Sequence, residues 1–278
     1  MCRHYAFRSN EPTKVECTLV RAQNALLAQS RRDRRGKAHP DGWGVAVYEE
    51  NHPEVERRAK AAYEDLHFNA TAARLYAKTI VAHVRRATIG GPSLANTHPF
   101  VHGPWCFTHN GTVRGFQSLR EQFLHETMPR LHGERMGTTD SELVFLWLLS
   151  RMDEAGISMD ERCTTVPALV ELFAAGLREI DRRSRAVAAQ PPELNLILTD
   201  GNLLLVSRWH HTLYWTFHDG LTACQTCGVP HVEHREGLEY RAVVVASEPF
   251  SADPWHDFPD ESLMVVDEQI EPHVQKVV

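Results

Sequence analysis

A cysteine at position two is a self-contained acyl-transfer unit once the residue ahead of it is removed. The thiol of Cys2 is then the nucleophile and its own α-amine the base. A free α-amine has a pKa of about 7.7–8.0 and a thiol about 8.5, so near neutral pH the amine can take the thiol proton and later return it to a leaving amine. Neither group needs a distant histidine. The plain alternative is that Cys2 stands there by accident of sequence. A second candidate is Cys224-x2-Cys227-x3-His231-x2-His234, four side chains of the soft and imidazole types that zinc prefers. The C-x2-C half has zinc-site spacing, but the histidines follow sooner than in a zinc finger, so the expectation is a loop with incidental thiols and no bound metal. The run Arg31, Arg32, Arg34, Arg35 and Lys37 could grip an anion, yet Asp33 interrupts it and such a stretch is ordinarily a solvated loop.

Four further segments give Cys2 its context. Ala82-His83-Val84-Arg85-Arg86-Ala87-Thr88, Asn96-Thr97-His98-Pro99-Phe100, His109-Asn110-Gly111 and Thr138-Thr139-Asp140-Ser141-Glu142 follow one another along the chain. In this order they resemble the glutaminase domain of the class II glutamine amidotransferases. Met1-Cys2-Arg3-His4, Pro40-Asp41-Gly42-Trp43-Gly44 and Ala246-Ser247-Glu248-Pro249 resemble the stand-alone members, including the γ-glutamyl hydrolase of ergothioneine biosynthesis. The clear motifs run from Cys2 to Glu142, with weaker agreement to about Asp257. The resemblance implies an N-terminal-nucleophile hydrolase of α+β class. Its fold would be a four-layer αββα sandwich, two antiparallel sheets between helix layers, with no cofactor.

Each matched residue has a physical task. Glutamine presents an α-carboxylate, an α-ammonium and a neutral amide, so a selective site needs a cation, an anion and an oxyanion hole at fixed separations. Arg85 supplies a planar fork that binds a carboxylate through two parallel charge-assisted bonds, which lysine does not reproduce. Its alternative is a surface salt bridge. Asp140 would hold the α-ammonium, kept ionised by the positive end of the helix it begins. The Asn110 side-chain amide and the Gly111 backbone N–H would face the oxyanion; otherwise Asn110-Gly111 is a hairpin turn. Thr88 and His98 match family positions lining the glutamine pocket, and Trp43-Gly44 is expected near Cys2 on an adjoining strand. His83, His109 and most other histidines are expected to be structural hydrogen-bonders.

The implied cycle is thiolate attack on the γ-amide, ammonia release, and hydrolysis of a γ-glutamyl thioester. The expected partner is glutamine or another γ-glutamyl small molecule, with a separate ammonia-accepting synthase as an option. Two readings compete with a glutaminase: a γ-glutamyl hydrolase acting on a larger biosynthetic conjugate, and a catalytically silent glutamine-binding module. A papain-like cysteine hydrolase is a weaker rival, because its C-G-[SA]-C-[WY] signature is absent.

Local patterning supplies elements to position these groups. A strand is expected over Arg3–Arg8, broken by Ser9-Asn10-Glu11-Pro12, then an amphipathic helix from Cys17 to about Gln29. Strands are expected at Trp43–Tyr48, Lys78–Arg86 and Pro104–His109. Thr139 and Glu142 form a capping box ahead of the apolar run Leu143–Leu149, and a long helix runs from near Pro167 to Ala189. Leu194–Leu198, Leu203–Val206 and Leu213–Phe217 read as an antiparallel meander, followed by strands at Arg241–Ala246 and Leu263–Val266. With no internal repeat and no Gly/Ser linker, residues 2–278 are expected to form a single domain.

Composition narrows the remaining classes. The 278 residues carry a net charge of −6, which gives no basic field for nucleic acid or an anionic membrane. No stretch approaches the roughly 20 apolar residues of a membrane span, and no apolar segment follows Met1 as in a secretory signal. A cytoplasmic protein is therefore expected, with its six cysteines as thiols rather than disulfides.

Overall fold

The computed structural model of the chain describes residues 2–48, 51–233 and 237–278. Strand β1 (Arg3–Lys14) is followed by a π-helical turn (Cys17–Arg21) and helix α1 (Leu26–Arg31). Strands β2 (Gly42–Tyr48) and β3 (Pro53–Arg58) pair, and α2 (Leu66–Arg74) leads into β4 (Tyr76–Arg85). After β5 (Phe100–His102) and β6 (Trp105–Thr112) come α3 (Phe116–Glu126), α4 (Pro129–His132), α5 (Asp140–Glu154) and α6 (Val166–Val187). The chain ends with β7 (Glu193–Thr199), β8 (Leu204–Arg208), β9 (Tyr214–Asp219), β10 (Arg241–Ala246), β11 (His256–Asp257), β12 (Ser262–Val266) and β13 (Pro272–Lys276).

The strands form two antiparallel sheets, one ordered β11-β9-β10-β1-β4-β2-β3 and the other β13-β12-β8-β7-β6-β5. Side-chain alternation sorts their residues into layers. Ala6, Ala46, Val81, Ile197, Val206 and Val243 fill the space between the sheets. Tyr5, Phe7, Trp43, Val45 and Ile80 point out of the first sheet against Leu26 of α1 and Phe68 of α2. Phe107, Leu194, Leu196 and Leu198 point out of the second, against Phe123, Leu146, Phe173 and Leu177 of α3, α5 and α6. The result is the expected α+β helix–sheet–sheet–helix sandwich.

Helix α5 starts where the capping box places it. Thr139 Oγ1 accepts the Glu142 N–H at 3.1 Å. The reciprocal half is not made: the Glu142 carboxylate accepts the N–H groups of Met136 (2.9 Å) and Gly137 (2.7 Å) instead. It thereby ties down the loop ahead of the helix. Every residue from Asp140 to Ser150 is buried, because α5 lies between the second sheet and its fellow helices.

The structure corrects three local expectations and removes one alternative. Ser9-Asn10-Glu11-Pro12 does not end β1; a register shift between Arg8 and Thr13 absorbs the proline, which needs no ladder N–H at a bulge. The helix expected over 17–29 is split, because the chain becomes extended at Ala22 between the π-helical turn and α1. The meander breaks after β8: β9 crosses to the first sheet and pairs with β10 and β11. Alternation specifies a strand but not which sheet receives it. Asn110-Gly111 lies within β6, opposite Asn195 and Leu194, and is not a hairpin turn.

Candidate active site

Arg3 of β1 stands opposite Val84 of β4, so Cys2, just ahead of β1, comes beside Arg85 at the end of β4. Ala6 and Val81 face the inter-sheet layer, and alternation carries Cys2 and Arg85 to that same face. On β6, Cys106 faces the layer and Phe107 does not, so Asn110 and Thr112 look back toward the first sheet. The Cys2 Sγ lies 3.3 Å from the Arg86 N–H and 3.4 Å from the Arg86 carbonyl oxygen, and is almost wholly buried. Burial pushes the thiol above its ordinary pKa, against the lowering pull of the Arg86 backbone.

A buried ion cluster fixes the chain at Cys2. Arg3 donates to its neighbour's carbonyl oxygen, Cys2 O, at 2.8 Å, and pairs with Asp33 (2.7 Å) and Glu248 (3.0 Å). Removing either carboxylate would leave a buried guanidinium short of its charge partners, which is strongly destabilising.

Arg85 and Asp140 are paired differently. The Arg85 guanidinium donates to the carbonyl oxygens of Ile89 (3.0 Å), Gly90 (3.0 Å) and Gly91 (3.1 Å). Among the described residues no carboxylate lies within ion-pair distance of it, although it is 2% exposed. Burial lowers its pKa, while the fields of Cys2, Asp41 and Asp140 raise it, so these three groups are its near neighbours. The Asp140 carboxylate accepts the N–H groups of Val113 (2.8 Å) and Ser141 (2.9 Å), and no described cation pairs with it. A buried cation without an anion thus shares one end of the sandwich with a buried anion without a cation.

Asn110 Nδ2 lies 3.1 Å from Ser247 Oγ, and Asn110 Oδ1 has no partner. Because a hydroxyl both donates and accepts, Ser247 can serve either end of this amide. With the amide turned over, Ser247 donates to Oδ1 and Nδ2 is free to meet an oxyanion. Ser247 Oγ also accepts the His4 N–H at 3.0 Å, linking β6 to the strand that carries Cys2. At Gly111 a β-carbon would overlap the Glu193 carbonyl oxygen, so only glycine permits this approach of β6 and β7. Thr88 closes the arrangement, its hydroxyl 3.0 Å from that of Thr112.

The model of the class-II glutamine amidotransferases matches residues 1–275. The chain belongs to this family. It is 30% identical to the gamma-glutamyl-hercynylcysteine sulfoxide hydrolase of Mycolicibacterium smegmatis, over 96% of both chains. To the Saccharomyces cerevisiae protein named probable glutamine amidotransferase DUG3 it is 28% identical, over 97% of this chain and 82% of the relative. Two solved structures share the fold. One is a class-II glutamine aminotransferase domain protein from Silicibacter pomeroyi, with TM-score 0.63 and 21% identity over the whole of both chains. The other is the B. subtilis glutamine phosphoribosylpyrophosphate amidotransferase, with TM-score 0.62 and 12% identity over all of this chain and 49% of that one.

In this amidotransferase one expected pocket residue lies elsewhere than anticipated. Trp43 is a correction: β2 adjoins β4 rather than β1, and alternation turns Trp43 out of the inter-sheet face. Its indole donates to Asp65 at 3.0 Å and meets Phe68 edge-on beneath α2. The motif's contribution at this face is Gly44, where a β-carbon would overlap the His98 carbonyl oxygen. His98 itself is buried and stacked on His83 at 4.2 Å between ring centroids. His109 is a structural hydrogen-bonder, reaching Ser141 Oγ (3.0 Å) and the Glu193 carbonyl oxygen (2.8 Å).

Three positioning residues had no role in the sequence reading. Asp33 stands there only as an interruption of a basic run, and Asp41 and Ser247 only within matched motifs. Asp41 Oδ2 accepts the Ala87 N–H at 2.7 Å and so fixes the exit from β4 just beyond Arg85. Of the candidate metal ligands, Cys224, Cys227 and His231 converge, and Cys17 joins them. His234 lies outside the described residues. This group sits on the outer side of the first sheet, with the residues around Tyr5 and Phe7, away from Cys2.

Proposed function

We propose that the amidotransferase hydrolyses the γ-amide of glutamine or of a γ-glutamyl conjugate through a γ-glutamyl thioester on Cys2. The observation that carries this reading is the buried pair of uncompensated charges. An α-amino-acid head group brings a carboxylate for Arg85 and an ammonium for Asp140, and both charges are then paired away from water. With the first residue removed, the Cys2 α-amine takes the thiol proton as sulfur attacks the γ-carbonyl carbon. The oxyanion is met by the Asn110 amide and the Gly111 N–H. The carbon–nitrogen bond breaks as the α-ammonium protonates the departing nitrogen. Water, losing a proton to the amine, then attacks the thioester and releases glutamate and the thiol.

Loss of one oxyanion donor costs about 10²- to 10³-fold in rate. Asn110→Ala should therefore lower kcat by that factor with KM nearly unchanged, as steady-state amine release will show. Arg85→Lys keeps the charge but loses the fork. A charge-assisted bond contributes about 1.5–3 kcal/mol, so KM should rise on the order of 10- to 100-fold.

A second reading, hydrolysis of a larger γ-glutamyl conjugate, is supported by the relative named gamma-glutamyl-hercynylcysteine sulfoxide hydrolase, aligned over 96% of both chains. A separate ammonia-accepting synthase is the third option, and all three use one site. The test is a release assay over glutamine, γ-glutamyl amides of increasing bulk, N-acetylglutamine and a des-carboxy analogue. The α-blocked and des-carboxy compounds should be turned over at least 10²-fold more slowly than their parents. Equal turnover of all four would remove Arg85 and Asp140 from substrate recognition.

A further inference from the structure

The connection from β9 to β10 is 21 residues long and has no helix or strand among its described residues. A connection of this length without its own secondary structure is uncommon in a compact domain and needs something to hold it. Apolar anchoring is sparse. Val232 and Tyr240 reach the core, Leu221 and Leu238 pack partly against it, and Val229 is open to solvent.

What gathers in this segment is a set of four ligand atoms. The sulfurs of Cys17, Cys224 and Cys227 and a ring nitrogen of His231 all lie within 4.8 Å of one another, with Cys227 Sγ 3.2 Å from His231 Nε2. Cys17 comes from the π-helical turn after β1, more than 200 residues away in sequence. The backbone around the pair is shaped for the same purpose. The Thr226 N–H points at Cys224 Sγ at 3.4 Å, the Gly228 N–H closes the turn on the Cys224 carbonyl oxygen at 2.8 Å, and Gly228 has a φ of +79°. The turn thus aims two sulfurs at one point, and the Lys14 N–H holds the far side through the His231 carbonyl oxygen at 3.0 Å.

We propose that Cys17, Cys224, Cys227 and His231 form a structural zinc site that clips the β9–β10 connection to the π-helical turn following β1. Zinc–sulfur bonds of about 2.3 Å and zinc–nitrogen bonds of about 2.0–2.1 Å put tetrahedral ligand atoms about 3.6–3.8 Å apart, within the spread of this set. Three soft thiolates with one imidazole select zinc over calcium or magnesium. On binding, each thiol gives its proton to solvent, and the four protein ligands fill the shell, leaving no open position for a substrate. The site is a brace for the outer face of the first sheet and takes no part in the chemistry at Cys2. The assignment departs from the sequence expectation of no bound metal, and from the candidate ligand set by replacing His234 with Cys17.

The test is metal analysis of the full chain purified without a polyhistidine tag or chelator, with Cys17→Ser, Cys224→Ser and His234→Ala beside it. The wild type and His234→Ala should carry about one zinc per chain, and the two cysteine variants much less. Should those variants fail to fold, cobalt(II) substitution of the wild type decides. Sulfur-to-cobalt charge-transfer absorption and tetrahedral d–d bands are expected. Wild-type protein holding under about a tenth of an equivalent of zinc, with no such absorption under reducing conditions, would overturn the proposal. So would zinc retained by Cys17→Ser and lost by His234→Ala.

Discussion

Cys2→Ala should release no ammonia or amine above background, a loss on the order of 10⁴-fold or more, while the folded protein still binds its substrate. The variant removes one buried sulfur and leaves Arg85 and Asp140 in place, so the two charges still await a head group. A ligand at 100 times its Kd stabilises the native state by about 2.7 kcal/mol, enough to move a melting curve. Glutamine or the active γ-glutamyl compound should therefore raise the Tm of Cys2→Ala, measured by calorimetry, even though turnover is gone. A silent binding module makes the opposite forecast for the wild type: the same rise in Tm with no hydrolysis. Substantial turnover by Cys2→Ala would place the nucleophile elsewhere.

The second large effect is acid destabilisation. Burial, together with neighbouring histidines and Arg3, pushes His4 down to about 3. Burial and the nearby Arg3 guanidinium bring His39 to about 3, and His211 falls to about 4, again chiefly through burial. His83 and His98, stacked on each other, are depressed well below the ordinary value by the same cause. The unfolded chain takes up a proton at each of these residues near pH 6.5, and the folded chain does so only far lower. The stability they contribute is therefore complete above about pH 6.5 and is lost as pH falls toward their folded values. By linkage, His4, His39 and His211 each cost about 2 kcal/mol at pH 5 relative to neutral pH, about 6 kcal/mol together, and His83 and His98 act in the same direction. Whole-domain stabilities are about 5–15 kcal/mol, and the protein should unfold between pH 6 and 4.5. Denaturant titrations at pH 7.5 and 5.5 will show a large fall in midpoint. A midpoint independent of pH would mean these rings are charged or wet in the native state.

Legibility in the sequence followed the range of the physical cause. Strands β2, β4, β6 and β10 could be read because alternation is local, and α5 because Thr139 caps it within three residues. Short or edge elements such as β3, β11 and β13, and helix α3 with its Gly115 N-cap, carry no comparable signal, whereas α2 has a local cap, Asp65 accepting the His67 N–H at 3.2 Å, that the sequence reading does not use. The sheet to which β9 belongs is settled by pairing with β10, across a 21-residue connection that no local pattern spans. In the site, Cys2, Arg85, Asn110 and Asp140 were legible as residue types in motif order. Their supports were not, because Arg3 meets Asp33 and Glu248 only after the chain has folded, and Ser247 reaches Asn110 across 137 residues. Trp43 shows how a motif can mislead: it lies between two glycines that face the inter-sheet layer, and strand alternation turns the tryptophan away from it. The buried histidines were countable but their burial was not, so the acid sensitivity could be given a window only from the structure.

The proposed mechanism takes both sulfur and base from one residue, Cys2. Its most direct test is mass spectrometry of the N-terminal peptide after rapid acid quench of the wild-type enzyme turning over glutamine or its preferred γ-glutamyl compound. The peptide should begin at Cys2 with a free α-amine and carry one γ-glutamyl group that hydroxylamine removes, as a thioester requires. Sustained turnover by chains that keep Met1, or a γ-glutamyl group found on any residue other than Cys2, would assign the base or the nucleophile to another group.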